Sequence, residues 1–264
     1  MTDKICNIRG KVKSHKPLIH CITNPISINQ CANVILAVGG KPIMAEHPDE
    51  VCEITDTADA LMLNTGNVTD ARLESIVLSA VKAKEKCIPF LLDVVGIACS
   101  KLRRKYVLNL LGKSVPSLIK GNYSEIIALE NPEYFSPGVD AEIFTDESYI
   151  SKTVKKLAQK YKTVILATGE ADIISDGKRI VYIKNGTSEL ASVTGTGCML
   201  GALCTTFMVF TSPMDAAISA CCYFGISGEL AKTEKGYGSY MVNLLDKIST
   251  LSREEIQKYK LEEI

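Results

Sequence analysis

The chain has 264 residues, 46% of them hydrophobic and 23% charged, which suits one large globular domain or two small ones. Thirty Lys+Arg balance thirty Asp+Glu, so no overall basic field draws the protein to nucleic acid or to an anionic membrane. Ten cysteines without C-x-x-C spacing and only three histidines argue against a structural zinc site and for a reduced, disulfide-free, cytoplasmic protein.

Residues 1–17 lack the apolar core of a signal peptide, and 3–15 suit a polar helix instead. Pro17 opens the apolar run PLIHCITN, a strand that leaves through Thr23-Asn24-Pro25. Ser27 or Asn29 starts a helix that stops at Gly39-Gly40, and KPIMA is a second short strand before a helix near Pro48 to Thr55. Ala58 to Leu63 is continuously apolar and ends in Asn64-Thr65-Gly66-Asn67; a helix from Thr69 or Asp70 to Lys86 follows.

IPFLLDVVG is a buried strand carrying Asp93, residues 101–113 are helical, and SLIKGN is a strand running into Gly121. Helices over Asn122 to Glu130 and 146–161 precede the strand TVILATG. ADIISDG and RIVYIKNG are joined by Asp176-Gly177, a hairpin signal. From Thr196 the pattern is helical throughout: Met199 to Phe210, Pro213 to Glu234, a segment around Tyr240 to Ser249, and Ser252 to Ile264. The most hydrophobic stretch, 198–210, is too short to span a bilayer.

Strand and helix therefore alternate through at least five cycles, and the strands are apolar without interruption, as in a sheet covered on both faces. The expected architecture is a three-layer α/β/α fold with a mostly parallel central sheet, one domain over 1–264. Ligands of such sheets bind beyond the carboxyl ends of the strands. Thr23-Asn24, Asn64-Thr65-Gly66, Asp93, Lys120-Gly121-Asn122 and Thr168-Gly169 all fall at those ends, which implies a single polar rim.

Asp93 interrupts a buried strand, so its carboxylate needs a partner or a metal. Asn122-x-x-Glu125 reads as a capping box, and equally as a carboxylate and amide pair for water-mediated Mg²⁺ binding. Lys120 and Thr168 suit a phosphate or the close of a strand, and Met44 suits core filling or contact with an aromatic heterocycle.

Residues 194–198, Thr-Gly-Thr-Gly-Cys, run straight into the apolar helix. Thr194, Gly195, Thr196 and Gly197 form a tight turn at a helix start, where unpaired amides and the helix dipole favour an anion. Cys198 would lie in the first helical turn, where that field lowers a thiol's pKa and readies it to accept a proton. An anion hole beside a proton acceptor is the equipment of phosphoryl transfer to an alcohol.

Asn122-x-x-Glu125, Thr168-Gly169 and the late G-T-G-x before a helix resemble the ribokinase-like superfamily, whose members phosphorylate small alcohols. That superfamily usually has aspartate where this chain has Cys198. HCITNPISINQCANVILAVGGKPIMAE, IKGNYSEI, ATGEADIISDG and VTGTGCMLGAL together resemble the hydroxyethylthiazole kinase family of thiamine salvage, over about residues 5–260. The resemblance implies transfer of the ATP γ-phosphate to the hydroxyl of 4-methyl-5-(2-hydroxyethyl)thiazole. It implies Met44, Gly195, Asn24 and Gly66 at the thiazole, Lys120 and Thr168 at ATP, Asp93 and Glu125 around Mg²⁺, and Cys198 as proton acceptor. It further implies a homotrimer with active sites between subunits. Two rival readings are a nucleotide-dependent dehydratase of hydrated nicotinamide cofactors and a silent nucleotide-binding module. Cys198 and the Asn24 to Met44 region weigh against the first, and the joint presence of Asp93, Glu125 and Cys198 against the second.

Overall fold

Six strands run parallel in the computed structural model, which describes residues 1–136 and 146–264: β1 (Leu18–Ile22), β2 (Lys41–Ile43), β3 (Ala60–Asn64), β4 (Phe90–Asp93), β5 (Leu118–Asn122) and β6 (Val164–Thr168). Three more, β7 (Asp172–Ser175), β8 (Ile180–Ile183) and β9 (Leu261–Glu263), continue the sheet antiparallel. The spatial order is β2-β1-β3-β4-β5-β6-β7-β8-β9. The Asp176-Gly177 pair makes the expected hairpin between β7 and β8.

Side chains alternate across a strand, and that period of two divides the core. Met62 and Leu91 face a layer made by α1 (Thr2–His15), α2 (Ile28–Val38), α8 (Thr196–Met208), α9 (Pro213–Leu230), α10 (Tyr237–Thr250) and α11 (Arg253–Ile256). Leu61, Leu63 and Leu92 face the other, made by α3 (Val51–Thr57), α4 (Asp70–Glu85), α5 (Lys101–Lys113), α6 (Tyr123–Glu130) and α7 (Glu147–Tyr161). Every residue of β3 is buried, which is why ALMLN shows no polar alternation. The three-layer architecture expected from the sequence is the one observed.

Helices α8 and α9 are buried on nearly every side, so they too lack an amphipathic stripe. α8 packs on the sheet and against α2 and α9, and Arg9 of α1 donates to the carbonyls of Ser249 and Leu251 to tie the outer helices together. No described helix is long and apolar enough to cross a membrane.

The expected helix over Ser252 to Ile264 is corrected. A capping box between Ser252 and Glu255 closes the single turn of α11, and residues 261–263 then pair antiparallel with β8, Ile183 opposite Leu261 and Val181 opposite Glu263. The free edge of β8 supplies backbone partners some eighty residues away in sequence, a gain that local periodicity does not register.

Candidate active site

Sheet register assembles the rim. Asn64 lies opposite Asp93, Asp93 opposite Lys120, and Asn122 opposite Thr168. At strand spacings near 4.8 Å the ends of β2 through β6 span roughly 24 Å. Met44, half-buried just past β2, stands at one end of that span, and Thr168, half-buried at the end of β6, at the other. Asn24 and Gly66 follow β1 and β3, so the residues expected at the thiazole fall on one arm. Asp93, Lys120 and Thr168, on β4, β5 and β6, fall on the other.

The amino terminus of α8 meets the rim where the arms join. Its cap residue, Gly195, has φ 88° and ψ −8°, a left-handed conformation that disfavours any side chain. A Cβ there would lie 3.4 Å from Ser27 Cβ, ordinary contact with the entry to α2, so the backbone conformation and not space is what favours glycine. Among the described residues no side chain caps α8, and the amides of Gly195, Thr196, Gly197 and Cys198 are the four that a helix start leaves without intrahelical partners. The Thr196 hydroxyl is already engaged, donating to Leu190 O at 2.7 Å and Val193 O at 3.2 Å. Thr196 therefore offers an anion its backbone only, and Thr194 is exposed just outside the helix. A Cβ on Gly197 would stand 3.6 Å from Lys120 Nζ, which sets an ammonium beside the amide turn.

Cys198 Sγ receives two amide donors, Asn64 Nδ2 at 3.2 Å and Asn24 Nδ2 at 3.5 Å. Both side chains are aimed by their own oxygens. Asn24 Oδ1 accepts from the amides of Ile26 and Ser27, and Asn64 Oδ1 accepts from Gly66 N at 2.7 Å. Gly66 is held so close that a Cβ would lie 2.9 Å from Asn64 Oδ1 and 3.0 Å from Asn24 Nδ2. Asn64 also reaches Asp93 Oδ2 at 3.5 Å, and so touches both the thiol and the acid. The sequence marks Asn64 only as a strand-end polar residue; its one signal is an amide directly after a fully apolar strand.

The thiol's protonation corrects the expectation from the helix field. Burial, with the Asp93 carboxylate, pushes the Cys198 thiol above its ordinary range; Lys120, Ser27 and Asn24 pull it down without reversing that. A partial helix charge counts for less than the water a buried sulfur loses.

Lys120 and Asp93 form a buried ion pair, Nζ to Oδ2 at 3.1 Å, with side-chain exposures of 4% and 1%. Burial opposes the ammonium charge, but Asp93, Cys198 and Glu125 outweigh it and hold Lys120 above its ordinary pKa. Burial pushes the Asp93 carboxyl up, and Lys120 offsets only part of that. Asp93 Oδ1 is buried with no hydrogen-bond partner among the described residues.

Asn122 and Glu125 do form a capping box on α6, Asn122 Oδ1 accepting from Glu125 N at 2.8 Å and Glu125 Oε2 from Asn122 N at 2.7 Å. Glu125 Oε1 accepts from Gly96 N at 2.7 Å. Burial and the nearby Asp93 charge push its carboxyl up to about 7, against the pull of those two amides. Thr168 Oγ1 donates weakly to Gly121 O at 3.4 Å.

Among the described residues no cluster of three or more His, Cys, Asp or Glu could wrap a metal. The set nevertheless fits Mg²⁺, which takes oxygen donors and keeps several waters. Asp93 Oδ1 is unpartnered, and each Glu125 oxygen has accepted one amide and retains a lone pair.

The model of the hydroxyethylthiazole kinase family matches residues 10–254. Hydroxyethylthiazole kinase 2 of Clostridium botulinum is 43% identical over 256 residues, 95% of this chain and 97% of that protein. The solved structure of the hydroxyethylthiazole kinase protein from Pyrococcus horikoshii superposes with a TM-score of 0.91 at 33% identity, covering 99% of each chain. A ribokinase-like superfamily protein from Enterococcus faecalis, 13% identical with a TM-score of 0.61 over 89% of this chain and 88% of that one, shares the fold. On the match to most of its length, and on relatives this similar over nearly all of it, the chain belongs to the hydroxyethylthiazole kinase family.

Proposed function

We propose that the chain transfers the γ-phosphate of ATP to the primary hydroxyl of 4-methyl-5-(2-hydroxyethyl)thiazole, in thiamine salvage, and that residues 1–264 act as one catalytic domain. The observation that carries this reading is the convergence of Cys198 Sγ, the Asn24 and Asn64 amides and Asp93 on the uncapped start of α8. The thiazole would lie along Met44, Asn24, Gly66 and Gly195, with its hydroxyl toward Cys198. ATP would lie along Lys120 and Thr168. The amides of residues 194–198 and the Lys120 ammonium would face the charge on the transferring phosphoryl group.

Asp93 and Glu125 would hold Mg²⁺ and its waters, which neutralises phosphate charge during transfer. Cys198 would receive the hydroxyl proton, through Sγ. Burial keeps most of the thiol protonated, so only its thiolate fraction can take that proton. In a loose transition state little proton removal precedes bond formation, so a small fraction suffices.

Support for a homotrimer comes from exposed apolar side chains on two helices that pack together, Leu36 on α2, Tyr237 and Val242 on α10, with Ile26 just before α2. An interface over them would bring a second copy beside Asn24. The chain would act in the cytoplasm, a reducing compartment compatible with its ten free cysteines. The test is ADP release from Mg-ATP with and without the thiazole alcohol, on protein whose mass is read by sedimentation. Release that depends on the alcohol is expected, from a species of three chains. ATP binding without turnover would overturn the kinase, and a monomer would remove the trimer.

Glu125 adds a pH dependence. Its carboxyl, pushed up to about 7, is largely protonated at pH 5.5 and must lose that proton to serve Mg²⁺. Mg²⁺ affinity should therefore rise about thirtyfold between pH 5.5 and 8, and Glu125→Gln should flatten the rise. Calorimetric titration of Mg²⁺ at the two pH values measures it.

A further inference from the structure

Arg72 occupies a place that two physical costs oppose. It lies in the first turn of α4, where a cation meets the positive end of the helix dipole, and its side chain is only 4% exposed. The hydrogen bonds it makes there join two separate loops. Nε and Nη2 donate to the two carboxylate oxygens of Glu46, at 3.0 and 3.3 Å, and Nη1 donates to Asn67 O.

Those loops leave β2 and β3, on either side of β1. Glu46 lies two residues after Met44, and Asn67 lies one after Gly66. The loops that the guanidinium joins thus leave the sheet two strand spacings apart, roughly 10 Å, on either side of the strand β1 that leads to Asn24. Other bonds hold the Glu46 loop to β1 and to the next turn of α4, and the Asn67 loop to itself. His20 Nε2 donates to Ala45 O at 2.9 Å, while its Nδ1 accepts from the Thr55 hydroxyl at 2.9 Å, and Ser75 Oγ donates to Glu46 O at 2.8 Å. Asn67, with φ 46°, is held in the left-handed region, and Asn64 Oδ1 fixes Gly66. Ser75 reaches only the Glu46 loop; among these bonds only those of Arg72 reach both Glu46 and Asn67 from one side chain.

We propose that Arg72 is a positioning residue that sets the distance between Met44 and Gly66, and with it which heteroaromatic alcohols the pocket accepts. The assignment rests on the reading that these two residues line the alcohol site. A planar bidentate fork suits the task, because it fixes Glu46 in direction as well as distance. A purely fold-stabilising ion pair would leave substrate discrimination untouched once the protein is folded.

The experiment compares full-length wild type with Arg72→Met, Arg72→Lys and Glu46→Gln, each checked for folding by thermal melting. Steady-state kinetics are measured with ATP and the thiazole alcohol, and with a six-membered heteroaromatic alcohol. In Arg72→Met the KM for the thiazole alcohol should rise about tenfold while the KM for ATP stays within about twofold. Arg72→Lys and Glu46→Gln should move the same constant in the same direction by less, and all three should narrow the preference for the thiazole over the larger ring. An unmoved alcohol KM in folded variants, or equal rises for alcohol and ATP, overturns the proposal. If Arg72→Met does not fold, Glu46→Gln decides, since its side chain is about half exposed and keeps its size. Wild type inert toward the thiazole alcohol overturns the functional reading and this assignment with it. Wild-type turnover with unmoved variant constants overturns this assignment alone.

Discussion

Lys120→Met will lower kcat by about a thousandfold and weaken the fold by about 3 kcal/mol at pH 8. The substitution keeps the stem in the core and deletes the ammonium that sits 3.1 Å from Asp93 and beside Gly197. The activity loss follows from its place next to the amide turn. The stability loss follows from Asp93, left as an unpaired carboxylate that is 1% exposed. Its sign with pH is fixed. An acid whose folded pKa is raised favours the folded state while protonated, so the penalty grows as pH rises from the unfolded value near ~4 through the folded one. The variant should therefore lose less stability at pH 5 than at pH 8, by urea melts at both. Wild-type kcat together with a wild-type melt at pH 8 would show that the pair has neither role.

Cys198→Ala should lower kcat by about ten- to a hundredfold, and Cys198→Ser should retain some turnover, since a loose transition state asks little of its base. Cys198→Asp should preserve or raise activity. The two amides now aimed at Sγ would meet a carboxylate oxygen, a better acceptor than a buried thiol whose pKa is pushed up. Wild-type kcat should accordingly climb with alkaline pH, and the aspartate variant should flatten that limb. A folded Cys198→Asp protein that binds ATP and turns over nothing would sink the proton-acceptor role.

The sequence is legible where local chemistry and tertiary environment agree. ALMLN has to be a doubly covered strand, Asp176-Gly177 has to turn, and polar residues at successive strand ends fall on one rim because parallel strands share a direction. It is less legible where the deciding neighbour is distant. The 261–263 strand depends on an edge left free by β8, and nothing in LEE announces that partner. The direction of the Cys198 pKa depends on burial and on Asp93, 105 positions earlier, against a field that its own helix supplies. The pairing of Lys120 with Asp93 and the double reach of Asn64 are likewise properties of register across adjacent strands, visible only once β3, β4 and β5 are laid side by side.

The burial of α8 on nearly every side has a bearing on turnover. A helix packed against the sheet, α2 and α9 is braced on three sides. Its first amides are therefore set in place by the fold, and the conformational freedom they give up is surrendered during folding rather than in every catalytic cycle. Whatever must open to admit an alcohol belongs to the loops around that mouth, which leaves the phosphoryl cradle as the still point of the molecule.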